Sequence, residues 1–85
     1  MVQDKEFQLI LQQAIDRLPP KQQQTYKLIK ELQLKRDEAA TELDVSPETV
    51  KWNLEQAMKS IRAYCMAHLK DLPIVVVLHL FSKYF

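Results

Sequence analysis

KRDEAATELDVSPETVKWNLEQAMKSIR, residues 35–62, decides how the rest of the chain is read. The stretch divides at Asp44-Val45-Ser46. Before the division, Ala39, Ala40 and Leu43 lie on a short helix; after it, Pro47 opens a longer helix with Val50 and Leu54 at i, i+4 on one side. Ser46 suits the N-cap, and Pro47 suits the first helical position, where an N–H would have no partner. Two short helices that cross steeply need a small residue at the crossing, a buried apolar residue in the turn and apolar anchors on the second helix. Ala40, Val45 and the pair Val50 and Leu54 meet those three needs. The pattern predicts a helix-turn-helix, in which the second helix enters a DNA major groove.

Working outward, Asp4 is expected to cap a first helix over about residues 5–17, with Phe7, Ile10, Leu11, Ala14 and Leu18 on one stripe. Pro19-Pro20 ends it, because the residue before a proline is pushed out of the helical region. A second helix over about 20–31 then presents Tyr26, Ile29 and Leu32. Leu34 is the apolar staple into a third helix over 36–43, where Lys35 is a poor cap but Asp37 and Glu38 favour the helix dipole. The fourth helix is predicted over 47–69, with Val50, Leu54, Ala57, Ile61 and Cys65 inward and Met58 and Leu69 at the flank. Its opposite face carries Glu48, Lys51, Trp52, Glu55, Gln56 and Lys59.

The expected fold class is therefore all-α: a four-helix domain over residues 1–70, followed by a short apolar C-terminal extension over 71–85. Ile74 to Phe81 is nearly continuous apolar sequence, too short to span a bilayer, which needs roughly 20 residues. Its β-branched residues fit a short strand. Asp71 as cap and Pro73 in the first turn fit a fifth helix, with Ile74, Val77, Leu78, Phe81 and Phe85 on one face. The helix is favoured, because a lone strand in an all-helical domain has nothing to pair with.

Composition excludes several function classes. A chain of 85 residues makes one small domain. Glycine is absent, which rules out phosphate-binding loops and the dinucleotide fingerprint. One cysteine, Cys65, excludes an internal disulfide and fits a reducing cytoplasm, and the polar stretch from Met1 to Gln13 is no signal peptide. Cys65 lies on an inner stripe, as a structural thiol does, and His68 and His79 straddle Pro73, so no helical pair for a metal is set up. No catalytic residue, metal site or cofactor is expected. Net charge is only +1, but residues 46–70 hold four cations against two acids, with Lys21, Lys27 and Lys30 nearby in the chain.

On the second helix of the motif, Glu48, Lys51, Trp52 and Glu55 occupy the outward face near its start, the part that reaches base edges. Lys51 can donate to guanine or phosphate, either glutamate can accept from cytosine N4, and Trp52 can touch a thymine methyl. Lys59 and Arg62 lie further along, which suits phosphate contact. Lys21 and Gln22, at the start of the second helix, offer another phosphate clamp.

Residues 14–64 resemble region 4 of the extracytoplasmic-function (ECF) sigma factors of bacterial RNA polymerase. Leu18-Pro19-Pro20-Lys21-Gln22 is similar to the family's "LP..QR" opening, and Glu38-Ala39-Ala40-Thr41-Glu42-Leu43 to its "EIAEEL" helix. Ser46-Pro47-Glu48-Thr49-Val50-Lys51 is similar to its "S..TVK" start, and Ala57-Met58-Lys59-Ser60-Ile61-Arg62 to its "RALKKLR" end. The resemblance implies a four-helix domain that binds the −35 promoter element through its last helix. It also implies docking on the flap of the polymerase β subunit and capture by an anti-sigma factor. Carried over residue by residue, Ser46, Glu48, Thr49, Lys51, Trp52 and Glu55 would face the −35 bases, with Lys21, Gln22, Lys59 and Arg62 as auxiliary contacts. Three departures stand out: Asp44 replaces the usual turn glycine, Glu48 stands where a basic residue is frequent, and Lys35 replaces a Ser/Thr cap. Region 2 has no counterpart, so the chain is expected to be the C-terminal domain of a longer protein. Two rival readings are a LuxR-type output domain, which also carries "TVK..L", and a protein-docking module with no DNA role.

Overall fold

Four helices account for most of the computed structural model, which describes residues 2–68 and Ser82, with side chains from Lys5 onward. They are α1 (Val2–Asp16), α2 (Pro20–Tyr26), α3 (Arg36–Leu43) and α4 (Pro47–His68); α2 runs directly into a π-helical turn, Lys27–Glu31. No strand occurs among the described residues, and the fold is all-α. Leu69, Lys70 and the fifth helix expected within 71–85 lie outside the described residues, apart from Ser82.

Helix α1 starts earlier than expected, so Asp4 sits within its first turn instead of capping it. Nothing in Val2 or Gln3 opposes a helix, and the chain coils from there. The helix closes on tightened bonds, with Leu18 N–H donating to the Ile15 carbonyl at 3.1 Å. Gln23 Nε2 donates to the same carbonyl at 2.9 Å, so a side chain of α2 serves the end of α1. Phe7, Ala14, Ile15 and Leu18 are buried, while Ile10 and Leu11 are half-buried at the margin.

These residues meet Tyr26 of α2 and Ala57, Ile61 and Cys65 of α4 in the larger of two core clusters. The smaller cluster joins Ala39 and Ala40 of α3 to Val50 of α4, with Leu28, Ile29 and Val45 packed on it. Ala39 and Ala40 are 0% and 4% exposed. With only methyl groups between them, α3 and α4 approach closely.

Two expectations about facing are corrected. Leu32 was expected inward and is 67% exposed. The π-helical turn explains it: Leu32 N–H reaches the Lys27 carbonyl at 2.9 Å, a five-residue step. That wider step rotates every later residue away from where a 3.6-residue period would put it. Gln33 then takes φ 60°, which turns the chain toward α3. On α4, Leu54 is half-buried, and Asn53 joins Val50, Ala57, Ile61 and Cys65 as a buried residue. The buried stripe therefore runs i, i+3, i+7, i+11, i+15, which a helix presents as readily as the spacing through Leu54.

Candidate nucleic-acid interface

The site is built on the junction between α3 and α4. At the start of α3, the Lys35 backbone N–H donates to Glu38 Oε1 at 2.8 Å. This is the return half of a capping box, made without the forward half, because a lysine ammonium has no acceptor to offer. At the end of α3, Asp44 adopts φ 56° and ψ 48°, the left-handed conformation. Val45 N–H reaches back to the Ala40 carbonyl at 3.0 Å, the bond that closes a helix around a left-handed residue. Aspartate tolerates this region better than most residues, so the turn forms without glycine.

Ser46 then caps α4. Its Oγ accepts from the Thr49 backbone N–H at 3.2 Å and lies 2.9 Å from the Thr49 hydroxyl, while its carbonyl accepts from Val50 N–H at 3.1 Å. The Ser46 and Thr49 hydroxyls are therefore turned on each other at the helix start. The other four residues expected to face bases, Glu48, Lys51, Trp52 and Glu55, are all exposed. They fall at i, i+3, i+4 and i+7, one face of the first two turns of α4. Trp52 is 58% exposed, a large aromatic surface that the fold leaves in solvent. Val50, Asn53 and Ala57, buried behind it, hold that face outward.

Lys59 and Arg62 are exposed further along α4. Lys21, also exposed, lines a crevice with Val45 and Asn53, so the structure brings the start of α2 beside the turn and the first half of α4. Gln22 is half-buried, and its Oε1 is buried without a hydrogen bond. That oxygen is turned into the protein; the amide Nε2 is the atom that could donate to a phosphate.

Sequence reasoning passed over two polar features. One is Asn53, 8% exposed on the inner side of the same helix. The other ties α4 to α1: Tyr64 Oη donates to Gln13 Oε1 at 3.3 Å, the Arg17 guanidinium lies 5.3 Å from the Tyr64 ring centre, and the His68 ring stacks on Tyr64 at 4.1 Å. The i, i+4 spacing of Tyr64 and His68 was a visible signal for that stack; the partners on α1 required the fold.

Cys65 is fully buried, and burial pushes its thiol up to about 11, so it stays protonated at neutral pH and offers no nucleophile. Among the described residues, no group of three His, Cys, Asp or Glu is placed to hold a metal ion. No helix among them is long and apolar enough to cross a membrane.

The family described as Sigma-70, region 4, matches residues 8–61. No curated protein and no solved structure gives a significant match. The matched residues run from α1 through the α3–α4 junction to Ile61, and so include the whole exposed face just described. The chain belongs to the sigma-70 region 4 family, whose members are DNA-binding domains through which sigma factors engage promoter DNA and RNA polymerase.

Proposed function

We propose that this domain reads the −35 element of bacterial promoters for an ECF-type sigma factor, with the first two turns of α4 in the major groove. One observation carries the reading: Glu48, Lys51, Trp52 and Glu55 share an exposed face directly after a side-chain-capped helix start. A helix start aimed this way sets base-reading groups at its tip, and exposed residues on one face of two turns span about three base-pair steps. Lys51 donates to guanine or to a phosphate, and the two carboxylates accept from cytosine N4. Lys21, Lys59 and Arg62 supply phosphate contacts that hold the register. The family match favours this over a LuxR-type output domain.

Docking on the flap of the polymerase β subunit, capture by an anti-sigma factor and action in the cytoplasm all belong to the ECF-type reading. The test is fluorescence anisotropy of labelled duplexes with the isolated chain. A duplex carrying the −35 element should bind more tightly than a scrambled duplex of equal length, and both affinities should fall as salt rises. Equal affinity for the two duplexes would remove the sequence-reading role; salt-independent binding would remove the DNA role altogether.

A further inference from the structure

Six exposed residues run in one line down the outer side of α4: Glu48, Trp52, Glu55, Lys59, Arg62 and Met66. Their steps alternate four and three, the spacing of a seam along which one helix packs on another. Promoter reading uses the first two turns of this line and takes phosphate contacts from Lys59 and Arg62. It has no use for Met66, which is 42% exposed and lies two heptads beyond Trp52 on the same seam. The fold therefore leaves its one tryptophan and a methionine in solvent on a single helix face.

The charges on the seam are sorted. The two acids, Glu48 and Glu55, lie in the first half of α4, and the two cations, Lys59 and Arg62, in the second. The helix dipole favours such an order only within the first and last turns, and Glu55 and Lys59 lie mid-helix. None of the four is paired with another side chain among the described residues. A face that is acidic toward one end and basic toward the other is complementary to itself when turned end for end. Two copies laid parallel would instead set each charge against its like.

We propose that α4 pairs with α4 of a second copy of this chain, antiparallel along this seam, and that the pairing hides the promoter-reading face. A two-fold axis level with Ala57 sets Glu55 against Lys59 of the partner subunit and Trp52 against Arg62 of the partner subunit. Each contact occurs twice, once on either side of the axis. The guanidinium can lie on the indole face, and Met66 of the partner subunit, one turn further on, reaches the ring edge. Lys51 falls opposite Ala63 of the partner subunit, so it meets no like charge. Such a pair is weak. A stable interface covers about 800 Å² per partner, whereas a helix of 22 residues presents a strip roughly 33 Å long and 10 Å wide. The dimer therefore forms at high local concentration and gives way to promoter DNA, which takes up the same Lys51, Trp52 and Glu55.

The masking of the reading face rests on the promoter-reading function above; the pairing itself does not, and the test takes them apart. Sedimentation of the chain without DNA, over roughly 10 μM to 1 mM, should show a monomer–dimer equilibrium, with the Trp52 emission moving to the blue as the dimer fills. Monomer throughout overturns the proposal. Glu55→Lys and Lys59→Glu should each weaken dimerisation about tenfold, because each changes two exposed contacts at once. An equimolar mixture of the two variants should dimerise as well as wild type, and so should the double variant that carries both. Dimerisation indifferent to either substitution, as association through the apolar residues 71–85 would give, overturns the seam. A loss that neither the mixture nor the double variant restores does the same. A duplex carrying the −35 element, added to the dimer, should convert it to one chain per duplex; chains that stay paired on the duplex overturn the masking. A wild-type chain that shows no preference between −35 and scrambled duplexes contradicts the promoter-reading function instead and leaves the sedimentation arm standing.

Discussion

Asp44 occupies the left-handed region at φ 56°, where a side chain with a Cβ is less stable than glycine by roughly 1–2 kcal/mol unless it is Asn or Asp. Asp44→Gly should therefore leave stability within about 0.5 kcal/mol of wild type, whereas Asp44→Val should lower it by roughly 1–2 kcal/mol, both read from urea melts. At the same scale, Lys51 and Trp52 are exposed and belong to neither core cluster. Lys51→Ala or Trp52→Ala should weaken −35 duplex binding by about 1–3 kcal/mol while leaving the melting temperature in place. Unchanged binding in both variants would remove this face from the DNA interface. The features that set this junction are local. The left-handed Asp44, the Ser46 cap and Pro47 at the first helical position each depend on residues within four positions, which is why they were legible in the sequence.

Elements were legible wherever local signals agreed, and not where neighbours decide. Pro19-Pro20 and Ser46-Pro47 marked the starts of α2 and α4, and Ala40 marked the helix crossing. The π-helical turn at Lys27–Glu31 carried no such mark, so the outward swing of Leu32 could not be read. Asn53 was missed for a different reason: two stripes on α4 fit a helical period, and only the packing of α4 against the rest of the fold selects the one containing a polar residue. The crossing itself is testable. Ala40 is 4% exposed and packs in a cluster with Ala39 and Val50. Ala40→Leu should force α3 and α4 apart and lower stability by roughly 1–3 kcal/mol. An unchanged melting temperature would mean that the helices do not meet at this residue.

Across the whole molecule, the larger core holds two titratable groups, Cys65 and Tyr26. Burial raises Cys65 from 9.0 to about 11. Tyr26 is raised first by burial, then by the nearby Glu31 carboxylate and by Cys65. Each group loses its proton more easily when the chain is unfolded. As pH rises past 9.0, the unfolded chain binds fewer protons than the folded one, and stability must fall. Thermal melts should therefore be insensitive to these groups below pH 9.0 and decline from there toward pH 11. Cys65→Ala should make the decline shallower, with Tyr26 supplying what remains. An equally steep decline in Cys65→Ala would show that the thiol is not held neutral by the core.

The same architecture separates two jobs: a core of α1, α2 and the later turns of α4 carries stability, and the first two turns of α4 carry an exposed reading face. That division is the central claim. It is tested most directly by NMR titration of the labelled chain with a −35 duplex at low and then moderate salt. The account predicts backbone shifts concentrated at residues 46–59 and at Lys21, with little change in the core around Phe7 and Ile61, and shifts that shrink as salt rises. Shifts spread evenly over the chain, or absent from residues 46–59 at low salt, would contradict it.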